Sequence, residues 1–460
     1  MASRGTTKPF TIAIIGGGIG GVSLALSLAA QNVPFHIYES APSFGEIGAG
    51  VTFGPNVIRA IQGISPEMLR AYAKHVTTNE PPDMADAFLT YRCAHRGADV
   101  TEEAYRAWTP EKLFNLVGQV QEIDGMTFPV RCSVHRAHLL DELVRLLPVD
   151  SASFGKALVK IEEITEEGGG GGGSGGGGGQ AKLYFADGST DVASAVIGCD
   201  GIKSVTRKHV HGDGVTAEYS GFFGYRAMAP RKAYEQVLGE EIAATGNHFL
   251  CPNGYTISYP VDHGSALNMF ATCVQPGSTW ADNEWKVKSS EEELLSDLRG
   301  WHPGVLQLLV KHGNGEKWAM FHSPHNHPYY RGRICLLGDA AHATTPHMGA
   351  GAGMAIEDGF ILGRLLGAAK SSVDLPYVFK AYDAVRRPRT QDVVRESKDN
   401  VARYQAISCA EGQELERLKE ESHAEFGKIF NFDLDESLTA AISLFHEYQG
   451  PREREITNCR

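Results

Sequence analysis

The chain has 460 residues, and its 42% hydrophobic and 21% charged residues fit neither a disordered protein nor a membrane protein. Its 43 Lys and Arg residues stand against 55 Asp and Glu residues, and the formal net charge of -12 argues against nucleic acid as the main partner. We therefore expect a small-molecule ligand.

The eight cysteines are scattered and form no C-x-x-C pair. Neither a zinc knuckle nor a redox dithiol is therefore expected. Reduced thiols are typical of cytoplasmic proteins. The long apolar stretch near the N-terminus, residues 11–30, is interrupted by glycines. We predict a soluble cytoplasmic protein without a membrane span.

The first predicted elements form a βαβ unit. Residues 10–15 (FTIAII) are a continuous apolar run, which is typical of a buried parallel strand. A helix pattern follows in residues 22–30, and a second strand pattern in residues 34–39 (PFHIYE) ends in an acid. Strand, glycine turn, helix and strand in this order predict an α/β fold.

The turn of this unit contains the pattern G-x-G-x-x-G at Gly16, Gly18 and Gly21. In such a turn the first glycine permits the sharp bend, the second lets backbone approach a pyrophosphate, and the third lets helix and strand pack closely. Glu39 ends the second strand, where a carboxylate can accept hydrogen bonds from a ribose. The segment predicts a dinucleotide site without deciding between NAD and FAD.

The middle of the chain is less regular. Residues 156–164 and 181–189 predict a hairpin, and between them lies Gly168–Gly179, where every residue except Ser174 is glycine. Such a tract has too much backbone entropy and too few side chains to pack, so we predict a flexible surface tip with no cofactor role. From about residue 215 to 330, short aromatic and β-branched runs predict a mostly β region.

Two further acids follow apolar strands. In residues 196–207 (VIGCDGIKSVTR) Asp200-Gly201 comes after an apolar strand, and in residues 333–339 (RICLLGD) Gly338-Asp339 comes after another. From about residue 378 onward the pattern is helical and rich in charge, which indicates an exposed amphipathic helix or a pair of helices.

With these motifs the chain resembles the group A FAD-dependent aromatic hydroxylases, and most of all the fungal salicylate hydroxylase-like flavoprotein monooxygenases. That family carries a glycine-rich turn, an Asp-Gly motif and a Gly-Asp motif in this order, and here they extend from residue 12 to residue 358. The resemblance implies an α/β fold with a Rossmann-like FAD-binding domain of the p-hydroxybenzoate hydroxylase type, a mostly β substrate domain and C-terminal helices. The implied ranges are 1–75, 130–210 and 331–377 for the FAD-binding domain, 76–129 and 211–330 for the substrate domain, and 378–460 for the C-terminal helical region.

The resemblance also assigns residues to FAD. Asp339 would bind the ribose or ribityl part, while Gly351 and Ala352 belong to the run 346–353 that lies against the isoalloxazine. Bare backbone N–H groups at a helix start favour negative charge on the reduced flavin.

Three more positions are implied at the cofactor. Arg136 matches the arginine that reaches the pyrophosphate, and Gly50 lies in a stretch that passes the ribityl chain. Asp200 is the acid of the Asp-Gly motif, whose loop we expect Ser204 and Arg207 to organise rather than to touch substrate.

The related phenol monooxygenases hold and deprotonate their substrate with an arginine and a tyrosine on strands. The matching positions are Arg226 in GFFGYRAMA and Tyr259 in TISYPV. A cation beside a phenol lowers its pKa, and the phenolate is the electron-rich carbon nucleophile. Strand residues that only pack or pair are the alternative reading of both positions.

The implied reaction is that of an FAD-dependent monooxygenase. FAD is reduced by NAD(P)H, dioxygen forms a flavin C4a-hydroperoxide, and one oxygen atom enters an electron-rich phenolic or salicylate-like ring. The alternative substrate is a polyketide phenol of secondary metabolism whose ring is hydroxylated or dearomatised. We expect a monomer or a homodimer.

Two other classes of protein remain as alternatives, and a third lacks its signature in this sequence. A nicotinamide-only dehydrogenase would have no need of the second and third motifs. A flavin-dependent halogenase needs two tryptophans one residue apart, and the five tryptophans offer no such pair. A flavoprotein that only binds partners would show no substrate-stimulated NAD(P)H oxidation.

The histidines do not predict a metal site. His325 and His327 could share one strand face with His322 nearby, but no third ligand follows at regular spacing. His347 lies inside the run implied to face the flavin, and both substrate contact and a structural role are open for it.

Overall fold

The computed structural model describes residues 8–45, 50–95, 109–164, 179–275, 277, 279–282 and 284–450. Its strands are β1 Ile12–Ile15, β2 Phe35–Tyr38, β3 Gly50–Phe53, β4 Ala87–Cys93, β5 Glu111–Val117, β6 Gln121–Ile123, β7 Met126–Phe128, β8 Cys132–His135, β9 Ala152–Ser153, β10 Leu158–Ile164, β11 Gln180–Phe185, β12 Thr190–Ala193, β13 Ala195–Gly198, β14 Glu218–Pro230, β15 Asn247–Cys251, β16 Gly254–Val261, β17 Ala266–Val274, β18 Lys286–Lys288, β19 Gly313–His322, β20 Tyr330–Arg331 and β21 Ile334–Leu336.

The helices complete the element order. They are α1 Ile19–Ala30, α2 Pro55–Ile64, α3 Pro66–Ala73, α4 Arg136–Val144, α5 Val205–His211, α6 Arg231–Leu238, α7 Glu240–Ala243, α8 Glu291–Asp297, α9 Pro303–His312, α10 Asp339–His342, α11 Gly351–Ala368, α12 Leu375–Cys409, α13 Gly412–Phe430 and α14 Leu434–Gln449. In the part of the chain that the structure describes, no helix is both long and apolar enough to cross a membrane.

A six-stranded sheet has the strand order β20-β21-β13-β1-β2-β9, and only β20 runs antiparallel to its neighbour. β1 lies at its centre, where Ile12 is in register with both Phe35 and Ala195. Buried on both faces, β1 has the continuous apolar sequence that parallel sheets require. The predicted βαβ unit is confirmed.

Glycines let α1 and α11 pack closely against one another. A Cβ atom at Gly359 would lie 3.0 Å from the backbone of Leu24, and one at Gly363 would lie 2.1 Å from the Ser27 side chain. Close packing therefore explains glycines in a helix interior, where they would otherwise cost stability. It also fixes α11 over the sheet that carries the first glycine turn.

An eight-stranded sheet with the order β18-β19-β14-β17-β16-β15-β4-β5 confirms the mostly β region. Its side chains alternate between two faces, as in any strand. Tyr225, Ala227 and Met269 point to a core under α6 and α9. Their neighbours point to the opposite face, which lines the cavity described below.

The C-terminal helices connect the cores behind the two sheets. The first half of α12 packs in the core of the parallel sheet through Val378 and Tyr382. Its second half joins the core beside the eight-stranded sheet through Val401 and Tyr404, as does the buried face of α13. The helical pattern predicted from residue 378 onward is confirmed, but among the described residues the expected one or two exposed helices are three, and α12 is largely buried because it packs against both cores.

The predicted hairpin is also confirmed, since β10 and β11 pair antiparallel with Ile164 opposite Gln180. Gly168–Gly179, predicted as a flexible tip, lies outside the described residues except for Gly179. The division of the chain into an FAD-binding and a substrate domain stays a prediction.

Candidate active site

A cavity of about 750 Å³ lies between the carboxyl ends of the parallel strands and the inner face of the eight-stranded sheet. Ligands of open α/β sheets bind at this position. The candidate site residues that line it are Gly16, Gly18, Glu39, Gly50, Arg136, Asp200, Arg226, Tyr259, Asp339, Gly351 and Ala352. Gly21, the remaining candidate, lies behind the turn instead.

The first glycine turn has the shape that a pyrophosphate needs. Gly16 has a φ of 105°, and a Cβ atom there would lie 2.4 Å from the Cys199 carbonyl. A Cβ atom at Gly21 would lie 2.1 Å from the Gly16 carbonyl, so Gly21 permits close packing of turn and helix. Gly18 caps α1 without a side-chain hydrogen bond. The N–H groups of the first helical turn are thus available to an anion.

Glu39 braces this turn from the end of β2. Its Oε2 accepts a hydrogen bond from the Gly17 N–H at 2.6 Å, and its Oε1 accepts one from the Ala41 N–H at 2.8 Å. A carboxylate has further lone pairs for a ribose hydroxyl. Contact with the ribose stays a prediction.

Asp200 holds its own loop. Its carboxylate accepts hydrogen bonds from the Ser204 hydroxyl at 2.6 Å and from the Thr206 N–H at 2.9 Å. Arg207 donates to the carbonyls of Asp339 and Ala340 at 3.2 and 3.1 Å. The expectation that Ser204 and Arg207 organise the loop is confirmed, and Arg207 links it to the Gly-Asp turn.

The Gly-Asp turn is held by a buried acid. Gly338 has a φ of 63°, and its N–H donates to Asp358 at 3.1 Å. Arg386 and His342 approach the same carboxylate at 2.7 and 2.6 Å. Burial opposes the ionisation of Asp358, but His342 and Arg386 outweigh burial and hold its pKa well below its usual range.

Asp339 is the exposed acid of this turn. It begins α10 and lines the cavity. Its carboxylate accepts no hydrogen bond from the residues that the structure describes, so its oxygen atoms are available to a sugar hydroxyl. The glycine turns, the uncapped helix start and this acid together fit a dinucleotide such as FAD.

Arg226 and Tyr259 share the cavity-facing side of the eight-stranded sheet. Arg226 on β14 is opposite Phe270 on β17, and Tyr259 on β16 is opposite Asn268, two residues from Phe270. The guanidinium carbon of Arg226 lies 4.9 Å from the Trp318 ring centre. Burial lowers the pKa of Arg226, and the nearby Tyr259 opposes this shift.

The backbone of β3 holds Tyr259 from the other side. A Cβ atom at Gly50 would lie 2.6 Å from the Tyr259 ring, and the Gly50 N–H donates to Asn268 Oδ1 at 3.1 Å. Burial raises the pKa of Tyr259, while a hydrogen bond with Thr52 and the charges of Arg226 and Arg131 oppose the rise. The Tyr259 side chain is therefore shielded from water, held in one position and close to two cations.

Known proteins resemble both the sequence and the fold. A family model described as an FAD binding domain matches residues 175–397. A 6-methylsalicylate 1-monooxygenase from Aspergillus terreus is 35% identical over 95% of this chain and 92% of the relative. The chain belongs to the FAD-dependent aromatic hydroxylases.

Two further proteins agree with this assignment of the hydroxylase. A salicylate hydroxylase from Pseudomonas putida is 34% identical, with 94% of each chain covered. A solved salicylate hydroxylase in a substrate complex has a TM-score of 0.76 and 28% identity, and the match covers 94% of this chain and 98% of that chain. The protein is thus an FAD-dependent monooxygenase, as the three motifs predicted.

The motifs of the hydroxylase did not identify one end of the cavity. There the side chains of His248, Tyr255 and Tyr404 meet His347, whose Nδ1 is 2.6 Å from the Tyr255 hydroxyl. The Tyr404 hydroxyl donates to the His347 carbonyl at 2.6 Å. Of these four residues only His347 belongs to a sequence motif, because the others lie in ordinary strand and helix patterns.

Arg131 is a second residue that sequence reasoning missed. It is fully buried, with hydrogen bonds from Nε to Asn79 at 2.9 Å and from Nη1 to Ser133 at 2.5 Å. Burial lowers its pKa to about 10, and Tyr259 is among the groups that oppose this. An alternation of polar and apolar residues gives no sign of such a buried cation.

His325 and His327 do not share a strand face, although the sequence allowed it. Both lie in the loop that follows β19, between Pro324 and Pro328, because proline has no N–H to donate to a strand ladder. Their rings lie 5.4 and 5.5 Å from that of His211. Among the residues described, no group of three or more His, Cys, Asp or Glu side chains has a metal-binding arrangement.

Proposed function

We propose that this monooxygenase hydroxylates a phenolic or salicylate-like small molecule, with NAD(P)H and dioxygen as cosubstrates. One observation carries the proposal: Arg226 and Tyr259 point from one sheet face into the same cavity as Gly16, Gly18 and Asp339. A cation and a hydroxyl that converge at a cofactor site suit a phenol.

FAD would occupy the strand-end side of this cavity. The first glycine turn and Arg136 would hold its pyrophosphate, Glu39 and Asp339 its sugar hydroxyls, and the backbone around Gly50, Gly351 and Ala352 its ring system and ribityl chain. Asp200 would support the loop between them. When bound, FAD supplies the redox chemistry, accepting a hydride from NAD(P)H and activating dioxygen.

The sheet side would hold the substrate. Arg226 attracts the phenolic oxygen and lowers the pKa of the phenol, since a nearby cation favours the phenolate. Tyr259 orients that oxygen and serves in moving its proton, because its own hydroxyl is buried beside Arg226 and Arg131. Loss of the proton makes the ring carbon a stronger nucleophile.

Apolar walls favour the same reaction. Phe88, Ile257, Phe270 and Phe426 line the cavity. Such a lining excludes water, which strengthens the attraction between Arg226 and a phenolate and limits loss of reactive oxygen species to solvent.

A polyketide phenol is the second candidate substrate. The pair of Arg226 and Tyr259 favours it, because the pair suits a phenolic oxygen whether or not a carboxylate is present. The two candidates differ in product: a salicylate gives a catechol with loss of carbon dioxide, and a polyketide phenol gives a hydroxylated or dearomatised ring.

The test uses the purified, FAD-loaded protein. We expect flavin absorbance, phenol-stimulated oxidation of NADH or NADPH, and products that mass spectrometry identifies as a catechol from a salicylate or as the substrate with one added oxygen atom from a phenol. A panel of salicylates and substituted phenols separates the two candidates by carbon dioxide release. Absence of any phenol-stimulated NAD(P)H oxidation across the panel would contradict the proposed function and favour a non-catalytic flavoprotein.

A further inference from the structure

His248 is a buried residue whose hydrogen-bonding groups are unused. Its side chain lines the cavity and is 1% exposed. Neither ring nitrogen has a hydrogen-bond partner among the residues that the structure describes. Buried polar groups in native proteins nearly always have a partner, so an unpaired imidazole in a ligand cavity points to the ligand itself.

The ring of His248 is held in place by three tyrosines. Its centre lies 4.7 Å from the ring of Tyr91, 4.5 Å from that of Tyr255 and 4.3 Å from that of Tyr404. The imidazole thus cannot swing to another partner without displacing aromatic neighbours. A fixed donor and acceptor of this kind is preorganised for one substituent of a ligand.

The two histidines that the structure describes at this end of the cavity are both neutral. Burial lowers the pKa of His248 to about 3, so the imidazole is neutral at physiological pH and offers one N–H and one acceptor nitrogen. Burial, with His248 and His322, also lowers the pKa of His347 to about 3. His347 Nε2 has no hydrogen-bond partner among the described residues either.

The register places His248 far from Arg226. Arg226, Phe270, Ile257 and His248 occupy one row across β14, β17, β16 and β15. Three strand spacings separate the two ends of the row, about 14 Å between Cα atoms. In a salicylate the hydroxyl and carboxylate sit on adjacent ring carbons, so they share one edge of the ring and do not reach both ends.

We propose that His248 is a specificity-determining residue that hydrogen-bonds a neutral carbonyl on the ring carbon opposite the phenolic oxygen held at Arg226. This inference rests on the proposed function and narrows its substrate class to para-acyl phenols. A carboxylate in the same place is disfavoured. The neutral imidazole offers it no opposite charge, and the surrounding aromatic rings exclude the water that would hydrate it.

The test measures ligand binding to the FAD-loaded protein through the change in flavin absorbance. The probes are three phenols that carry an acetyl, an ethyl or a carboxylate group para to the hydroxyl and no hydroxyl beside that group. We expect the acetyl compound to bind about tenfold more tightly than the ethyl compound, the effect of one buried hydrogen bond. The carboxylate should bind more weakly than the acetyl compound.

Two variants make the test specific. His248→Leu should remove the tenfold preference by weakening the acetyl compound alone, and His248→Gln, which keeps a neutral donor and acceptor, should restore part of it. Phe88→Leu, a change to an apolar lining residue, should affect acetyl and ethyl compounds alike. Flavin content of each variant checks that the fold is intact.

The outcomes separate the two proposals. Equal affinity of the wild-type protein for acetyl and ethyl compounds, or equal weakening of both by His248→Leu, would overturn the role of His248 while phenol oxidation remained. A protein that oxidises NAD(P)H with none of a wide range of phenols would overturn the proposed function, and the role of His248 with it.

Discussion

Arg226 and Tyr259 are the side chains on which the proposed chemistry depends most directly. Arg226→Lys keeps the charge but loses the planar fork that grips an oxygen atom and stacks on Trp318. Tyr259→Phe removes one hydroxyl and little volume. Each lost hydrogen bond to a charged group is worth roughly 1.5 to 3 kcal/mol, so we expect product formation to fall by about one to two decades.

The measurement compares product formed with NAD(P)H consumed. Reducing equivalents should escape as hydrogen peroxide in both variants, while FAD content changes little. Arg364→Lys and Tyr234→Phe are matched controls, because Arg364 stacks on Phe360 and Tyr234 hydrogen-bonds Ser258, both outside the cavity. Normal coupling in Arg226→Lys and Tyr259→Phe would remove the pair from the mechanism.

Asp339 should decide how tightly FAD is held. Asp339→Ala removes a carboxylate that faces the cavity, and a sugar hydroxyl left without its partner weakens binding by roughly one to two decades. FAD dissociation measured by fluorescence during dialysis tests this expectation. The control is Asp213→Ala, which alters an exposed acid paired with Lys208. Unchanged flavin affinity in Asp339→Ala would show that this acid does not contact the cofactor.

Asp358 connects three elements: the Gly-Asp turn, α11 and α12. Its carboxylate receives Gly338, His342 and Arg386, all within 3.1 Å. Asp358→Asn keeps the shape but leaves the buried Arg386 with Glu357, at 2.8 Å, as its remaining counter-charge, and the weakened charged hydrogen bonds cost about 1.5 to 3 kcal/mol in the free energy of unfolding. Urea denaturation measures the loss.

FAD should also leave the Asp358→Asn protein more readily, because Asp358 positions the residue before Asp339. The control is Glu414→Gln at an exposed helix pair, where no measurable change is expected. A fall in stability no greater than that of the control would mean that the buried cluster contributes little.

The hairpin of β10 and β11 should tolerate a much shorter tip. Ile164 and Gln180 are paired across the two strands, so a two-residue Asn-Gly turn can replace residues 165–179. Loop-closure cost changes by only about 0.6 kcal/mol for each doubling of length, so stability should stay the same or rise by up to roughly 2 kcal/mol. Flavin content and turnover of the shortened protein check this. Insoluble protein would show that the segment has a structural role.

Protons should destabilise the molecule as a whole below neutral pH. The pKa values of His248 and His347 lie at about 3 in the folded protein and near 6.5 in an unfolded chain. Between these values the unfolded state binds more protons, so stability falls as pH falls below about 6.5. From pH 7 to pH 5 each histidine should cost about 2 kcal/mol.

Urea unfolding at both pH values measures this effect. Between pH 7 and pH 5 the free energy of unfolding of His248→Leu should fall by about 2 kcal/mol less than that of the wild-type protein. The variant lacks the histidine that takes up a proton when the chain unfolds. Tyr91→Phe changes a neighbour of the His248 ring without removing a group that titrates between about pH 5 and pH 7. Its free energy of unfolding should fall as much as that of the wild-type protein. The same pH dependence in His248→Leu and wild type would contradict a neutral, buried His248.

The sequence was most informative where function is carried by backbone. Gly16, Gly18 and Gly338 sit between apolar strands and helix starts, so local order alone predicted the turns and a dinucleotide site, whereas FAD was implied by the resemblance to the hydroxylases. His248 and Arg131 could not be found in the same way. Their roles depend on register between distant strands and on burial, and neither is encoded by spacing along one segment.

The two sides of the cavity are built from different material. Backbone turns, joined by a few side chains, form the side proposed to hold FAD, whereas the side proposed to hold the substrate is a row of side chains, Phe270, Ile257 and His248 among them, on one face of a sheet. Replacing one member of the row alters a single position while the turns keep their shape. Duplicated copies of such an enzyme can therefore change substrate by single substitutions. Each variant along the way still binds flavin and can be selected for a new activity.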